Sequence, residues 1–301
     1  MSITYSKSII AAIVLAVAAT GNAQPTKDET QARSQCCVQK TSSVQQSQVE
    51  ARPTPPRAAN PPKIDPQAIA ALEKMGCFLR KQQNFTVSAD AQTDYVIQND
   101  LLVTLPKHAE LRVKRPNGLR IDVTSDRKQR QFFYDGKTFT MYGEKVGYYT
   151  SVPAPPTIHE LANMLEDRYG LQLPLVDLFR WGTAQSPVKE ITAAVRVGTE
   201  RIDGVMTDHY AFRQKGVDWQ IWIEQGNRPV PHRLILTTTD DPARPAYALD
   251  MQWTLNTLND WPVFTFVAPP DAVRIPLSER TIQTVARAEQ AKKRSSEPTK
   301  Q

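Results

Sequence analysis

The sequence is poor in the residues that mark a metal site, a disulfide scaffold or a membrane span. Its 301 residues include three cysteines and four histidines, and the apolar run 9–19 is too short to cross a bilayer. A polytopic membrane protein is therefore excluded. No two histidines have the close spacing of metal ligands, so we expect neither a metal nor a cofactor.

Recognisable catalytic motifs are also missing. The sequence contains no nucleophile elbow, no P-loop and no dinucleotide-binding fingerprint. Asp208-His209 is compatible with an acid–base pair, but a strand dipeptide with Asp208 facing solvent explains it more simply. We therefore expect no catalytic residue and no enzymatic activity.

The net charge of +6 suggests at first an anionic partner such as nucleic acid. The excess lies at the two ends of the chain, because residues 63–278 carry 25 basic and 25 acidic side chains. A neutral, exported domain is a poor nucleic-acid binder, so we expect no nucleic-acid partner.

The ends of the chain do not resemble folded domains. Residues 1–23 combine Lys7, an apolar segment and small residues before Ala23, which predicts a signal peptide and export to the periplasm of a Gram-negative bacterium. An uncleaved membrane anchor is the alternative. Residues 24–62 are rich in Pro, Gln and Ser and predict a disordered linker, and residues 279–301 predict a polar basic tail.

The mature chain has an odd number of cysteines, namely Cys36, Cys37 and Cys77. In an oxidising compartment this permits an intermolecular disulfide, whereas thiols without a role are the simpler interpretation.

Residues 63–278 predict a mainly β protein with three helices. Asp65-Pro66 starts the first helix, with Asp at the N-cap and Pro at the first helical position. The dipeptides Asp135-Gly136 and Asp203-Gly204 predict two-residue hairpins between strands of alternating polarity. A capping box at Thr157 and Glu160 predicts a second helix, and the apolar segment 174–181 a third.

We expect about nine to eleven antiparallel strands to form a strongly curved, half-open barrel, an α+β fold with an N-terminal helix and two short lid helices. Three short helices cannot easily fill the concave side, which leaves either large side chains or a ligand cavity there. The candidate cavity and lid residues are Leu111, Val113, Leu119, Ile121, Phe139, Leu161, Leu165, Leu175, Leu178, Phe179, Trp181, Trp219, Ile221, Leu234, Leu249, Met251 and Trp253.

A basic cluster lies on the predicted strands around residue 116. Nearby acids favour a solvated sheet face, and an anionic patch that docks a headgroup or partner is the alternative. The candidate patch residues are Arg112, Lys114, Arg115 and Arg120.

Several motifs of the middle segment resemble an uncharacterised family of predicted bacterial periplasmic proteins. They are Ile64-Asp65-Pro66, Val113-Lys114-Arg115-Pro116, Phe133 to Phe139, Tyr149 to Pro156, Leu173 to Gly182 and Arg228 to Arg233.

That family is similar to the lipoprotein-carrier fold of LolA and LolB. The resemblance implies a half-open barrel, helices that act as a lid and a cavity for an acyl chain. Residues 263–270 resemble the late strand ending of those carriers.

Three functions are compatible with the sequence. The first is an exported, non-enzymatic carrier or sensor of a lipid, a lipoprotein acyl chain or another apolar ligand. The second is a cell-envelope interaction or structural protein with a filled core and no ligand, which would bind an envelope protein through its basic ends. A hydrolase is the weakest of the three. The sequence does not indicate an oligomeric state.

Overall fold

The computed structural model describes residues 64–181 and 186–279. The predicted signal peptide, the linker and all of the tail except Glu279 lie outside the described residues, so they stay predictions.

The described chain contains three α-helices and twelve β-strands. The helices are α1 (Pro66–Lys81), α2 (Ile158–Tyr169) and α3 (Asp177–Arg180). The strands are β1 (Asn84–Val96), β2 (Leu102–Lys114), β3 (Gly118–Thr124), β4 (Gln129–Tyr134), β5 (Thr138–Gly143), β6 (Tyr148–Pro153), β7 (Ala193–Ile202), β8 (Val205–Gln214), β9 (Val217–Glu224), β10 (Pro231–Thr238), β11 (Ala246–Leu255) and β12 (Val273–Arg274).

All twelve strands belong to one sheet in the order β12-β6-β5-β4-β3-β2-β1-β11-β10-β9-β8-β7. The registers are antiparallel in both meanders, β2 to β6 and β7 to β11, whereas the two-residue β12 runs parallel to β6. The sheet is not closed, because β12 and β7 stand at opposite ends of that order. The predicted mainly β class with three helices is confirmed.

Local sequence signals set the helix ends. Asp65 caps α1 by accepting a hydrogen bond from the Gln67 amide at 2.8 Å, directly before Pro66. Thr157 caps α2 in the same way, accepting from the Glu160 amide at 3.2 Å. Gly170 ends α2 in the left-handed conformation, with a φ of 63°. The predicted starts of both helices are confirmed.

Both predicted Asp-Gly hairpins are present. Gly136 joins β4 to β5 with a φ of 85°, and Gly204 joins β7 to β8 with a φ of 83°. The Asp135 carboxylate accepts hydrogen bonds from the amides of Lys137 and Thr138, which fixes the first turn.

Two local predictions need correction. The third helix is a single turn that starts at Asp177 rather than at Pro174, because Leu175 has a left-handed φ of 60° that helical backbone does not allow. Residues 263–270 form no strand. They continue from a 3₁₀ turn at Trp261–Phe264, and strand pairing returns only at β12.

The described chain forms two compact units that alternate along the sequence. The first unit comprises residues 64–82, 88–107, 177–181 and 186–253, and the second comprises residues 83–87, 108–176 and 254–279.

The core of the first unit is formed by α1 packed with β7, β8 and β9. Leu72, Met75 and Leu79 of α1 belong to the same apolar cluster as Phe212 and Trp219. The rings of Phe212 and Trp219 stack at 4.2 Å between centroids. Cys77 of α1 is buried and disulfide-bonded, so the interpretation of the cysteines as thiols without a role is wrong for Cys77.

The second unit buries one face of the meander β2 to β6. Leu111, Ile121 and Phe132 stand opposite one another across β2, β3 and β4, and each is almost completely buried. The α2 amide of Ile158 bonds to the carbonyl of Pro116, which fixes the start of that helix beside the turn between β2 and β3. Ile158, Leu161, Ala162 and Leu165 form the buried face of α2.

Candidate ligand-binding site

The first unit has one sheet face directed towards α1, which we call the inward face. Trp219 and Ile221 of β9 lie on it, because both belong to the cluster that α1 completes. Across β10, Leu236 stands opposite Trp219 and Leu234 opposite Ile221. The register continues into β11, where Tyr247 is opposite Leu236 and Leu249 is opposite Leu234. Since side chains alternate along a strand, Met251 and Trp253 share this face.

Burial of the inward face is uneven. Trp219, Ile221, Leu249 and Met251 are all at least 96% buried. By contrast, four large side chains remain partly exposed: Leu234, Leu236, Tyr247 and Trp253. Three of them pack against the core cluster: Leu234, Leu236 and Trp253. The inward face therefore offers an apolar surface that this unit covers only in part.

Trp253 is held in place by its polar atom. Its indole Nε1 donates a hydrogen bond of 2.7 Å to the carbonyl of Pro231, at the start of β10. The indole nitrogen is thereby satisfied, and the ring stays partly exposed.

The first half of β2 adds a further row to this face. Val103, Leu105 and Lys107 are each more buried than the exposed residues that alternate with them. The Lys107 Nζ lies 5.3 Å from the centroid of the Tyr247 ring, which places the ammonium group on the inward face. The geometry is that of a cation–π contact.

Lys107 is a partly buried cation on this largely apolar face. Burial lowers the pKa of Lys107 below its ordinary value, because desolvation penalises the charged form. Within the part of the chain that the structure describes, no carboxylate forms an ion pair with Lys107. An anionic group bound beside the Lys107 ammonium would balance its charge.

Neither Lys107 nor Tyr247 was among the site residues predicted from the sequence. A signal was present, since Lys107 interrupts a row of apolar residues at alternate positions from Val103 to Val113. Recognising its partner required the register of β11, which lies about 140 residues further along the chain.

The structure divides the predicted cavity residues between the two units. In the first unit, Trp181 packs edge-on against Trp219 at 5.5 Å, so it belongs to the core cluster there. The other members in the first unit are Leu178, Phe179, Trp219, Ile221, Leu234, Leu249, Met251 and Trp253. The members in the second unit are Leu111, Val113, Leu119, Ile121, Phe139, Leu161, Leu165 and Leu175.

The second unit also contains a pocket of about 390 Å³ that the sequence did not indicate. Phe266 borders it and contacts the rings of Phe133, Tyr142 and Tyr149, with centroids 5.1–5.5 Å apart. Polar groups of its lining already bond within the protein. The Thr140 and Ser151 hydroxyls pair at 2.7 Å, and Arg274 donates to the Ser151 carbonyl at 3.2 Å.

Two members of the predicted basic patch are paired with acids. Arg112 bonds to Glu110 at 2.7 Å, and Arg120 bonds to Asp122 at 2.9 Å while lying over the Phe133 ring. Lys114 donates to the carbonyl of Asn259 and lies 5.4 Å from the Trp261 ring. The Arg115 amide donates to Gln83. The docking role of the patch stays a prediction.

His209 is buried in a packed polar cluster. Its ring stacks on Trp222 at 3.9 Å, and its Nε2 lies 3.0 Å from Gln220 Oε1. Trp222 donates to Glu200 at 2.9 Å, and this hydrogen bond lowers the pKa of Glu200. Asp208, which neighbours His209 in sequence, is paired with Arg196 instead.

The described residues contain no group of three or more His, Cys, Asp or Glu side chains that could hold a metal ion. Among the same residues, no helix is both long enough and apolar enough to cross a membrane.

Residues 68–278 match the family described as "Predicted periplasmic protein (DUF2092)". This chain belongs to that family. The matched segment covers nearly all of the described residues, and it confirms the resemblance seen in the sequence motifs. The family's description also agrees with the predicted periplasmic location. No curated protein of known function matches the sequence.

Three solved structures show a distant similarity. The lipoprotein LppX of Mycobacterium tuberculosis is 12% identical, with a TM-score of 0.41, over 65% of this chain and 98% of LppX. LprF of Mycobacterium bovis is 12% identical, with a TM-score of 0.39, over 70% and 100% of the two chains. A LolA superfamily protein of Nitrosomonas europaea is 14% identical, with a TM-score of 0.31, over 66% and 97%.

Proposed function

We propose that this protein is an exported, non-enzymatic periplasmic binding protein that carries a lipid, a lipoprotein acyl chain or a similar apolar molecule. The observation that supports the proposal is the partly exposed part of the inward face. Leu234, Leu236 and Trp253 extend the core of the first unit with apolar surface that this unit does not cover completely.

An apolar ligand on this surface would gain from burial alone. Covering about 200 Å² of apolar surface is worth roughly 5 kcal/mol before the costs of association are subtracted. Trp253 and Tyr247 are suited to such contacts because aromatic rings offer large, rigid apolar faces.

One observation favours the second candidate, an envelope interaction protein with a filled core. Trp181, predicted as part of a movable lid, is 5% exposed and packed against Trp219. A side chain that completes a core does not open easily over a ligand. The two candidates differ in whether the purified protein contains a small molecule.

The test is native mass spectrometry and lipid extraction of the full-length protein, isolated from the periplasm without detergent. The carrier proposal predicts a bound amphiphile that organic solvent extracts, and a higher melting temperature on adding a long-chain amphiphile. A protein that carries no lipid and gains no thermal stability from any amphiphile would count against the carrier and favour the filled-core candidate.

A further inference from the structure

We propose that the ligand of the inward face is a single-chain amphiphile with a negatively charged head, and that Lys107 binds this head. The inference rests on the proposed function and names the chemical class of the ligand. Its basis is the position of the Lys107 ammonium, which forms an ion pair with no carboxylate of the described residues, beside a largely apolar surface.

The position of Lys107 fits one end of an elongated ligand. Its ammonium lies over Tyr247, and Trp253, the other partly exposed side chain of this row, lies six residues further along β11, beyond the buried Leu249 and Met251. Six strand residues span about 20 Å, which is long enough for an extended acyl chain. A head bound at Lys107 would thus leave its chain on the partly exposed apolar side chains of this face, Leu236, Leu234 and Trp253.

An anion can pair with Lys107 because the carboxylate of the neighbouring strand β1 is engaged elsewhere. Asp94 lies on β1, the strand between β2 and β11. It accepts hydrogen bonds from the Ala246 amide at 3.0 Å and from the Thr104 hydroxyl at 2.5 Å. Thr104 belongs to the exposed, outward row of β2, so Asp94 is engaged on the other side of the sheet. A desolvated cation is costly by itself, and an anionic head would remove that cost.

A neutral ligand would gain less from this lysine. Its hydroxyl oxygen can accept a hydrogen bond from the ammonium, but it carries no charge to balance the desolvated cation. The proposal therefore predicts a preference between ligands that share one chain and differ only in the head.

The experiment measures dissociation constants by titration calorimetry at pH 7.5 for dodecanoate, dodecyl phosphate and dodecan-1-ol with the full-length protein. We expect at least one of the two anions to bind about tenfold more tightly than the alcohol. The anion with the larger advantage identifies the source of the charge as a carboxylate or a phosphate.

The variants are Lys107→Met and Lys107→Gln, with Lys215→Met as the control. Lys215 is exposed in the turn between β8 and β9, so its replacement removes the same charge elsewhere in the unit. We expect the preference for the anion to fall to about twofold or less in both Lys107 variants and to persist in the control. Circular dichroism verifies that each variant folds.

The outcomes separate the two proposals. If the wild-type protein binds all three compounds equally, or if the Lys107 variants keep the preference, the role of Lys107 is wrong while the carrier proposal stands. If the wild-type protein binds none of the three and also carries no lipid in native mass spectrometry, the carrier proposal fails as well. The comparison of heads on the wild-type protein tests the preference for an anion even if both Lys107 variants misfold.

Discussion

Lys107 sets an ammonium group among apolar side chains, and this has a consequence for stability. Its pKa in the folded protein is lowered by desolvation, so the charged form destabilises the fold. The penalty is fully present below the lowered pKa and is relieved as the pH rises towards 10.5, the ordinary value.

Lys107→Met should therefore raise the free energy of unfolding at pH 7, on the order of 1 kcal/mol, which is a few degrees in melting temperature for a chain of this size. The gain over wild type should shrink above pH 10. Thermal melts at pH 7 and pH 10.5 test this, with Lys215→Met as the matched variant. A Lys107→Met protein that melts lower than wild type at pH 7 would contradict the description of Lys107 as a destabilising cation.

At the level of single residues, only part of the binding site could be predicted from the sequence. The alternation around Trp219, Ile221 and Leu234 was sufficient to place these residues on an apolar face. Tyr247 and Lys107 were missed because their contact depends on tertiary register rather than on local pattern. The same limit applies to Trp181, whose apolar surroundings suggested a lid but whose partner is the core residue Trp219.

At the scale of the elements, the two Asp-Gly hairpins make a natural comparison. Gly136 and Gly204 have nearly the same left-handed φ. A Cβ on Gly136 would lie 2.5–2.9 Å from the Asn117 side chain, whereas a Cβ on Gly204 would meet nothing within 4 Å.

Gly136→Ala should therefore cost more stability than Gly204→Ala. Both substitutions carry the cost of a left-handed alanine, about 1 kcal/mol, and Gly136→Ala adds an overpacking cost of roughly 1–2 kcal/mol. Urea denaturation of the two variants gives the difference. Equal destabilisation would show that Asn117 moves aside freely.

The C-terminal segment of the second unit is a further element with a defined anchor. Phe266 packs among three aromatic rings, and beyond it the amides of Val273 and Ile275 bond to the carbonyls of Gly147 and Tyr149, each at 2.8 Å. The ring is only half-buried, so its removal should cost roughly 2 kcal/mol.

Phe266→Ala should accelerate amide exchange at Val273 and Ile275, because β12 loses its anchor. Hydrogen exchange followed by mass spectrometry of the C-terminal peptide measures this. Val267→Ala is the control, since the Val267 side chain is 82% exposed. Unchanged exchange in the Phe266 variant would show that β12 is held by its own hydrogen bonds.

The elements that the sequence predicted well are those with local signals. Asp65, Thr157 and both Asp-Gly turns act through neighbours a few residues away. Strand β1 was not predicted, because its buried row passes from Phe85 and Val87 to the small residues Ala89, Ala91 and Thr93, which weakens the alternation. Strand β12 exists only through pairing with β6, about 125 residues earlier in the chain, which no local pattern reveals.

For the whole molecule, the fold class and the family could be predicted from the sequence. Which core residues pack together could not. The predicted cavity residues form two sets, one in each compact unit, and the partly exposed apolar surface belongs to the first unit. Alternating polarity reveals which residues face inward. It does not reveal which inward residues pack together, because that depends on contacts between distant strands.

The inward face of the first unit is the surface that we propose binds an amphiphile. Leu236 and Ile235 are adjacent on β10, are both partly buried and point to opposite faces of the sheet. The most direct test is native mass spectrometry of the wild-type protein, Leu236→Gln and Ile235→Gln, each isolated from the periplasm without detergent. We expect a bound amphiphile in the wild type and in Ile235→Gln, with occupancy reduced several-fold in Leu236→Gln. A wild-type protein of bare polypeptide mass, or equal occupancy in the two variants, would contradict this proposal.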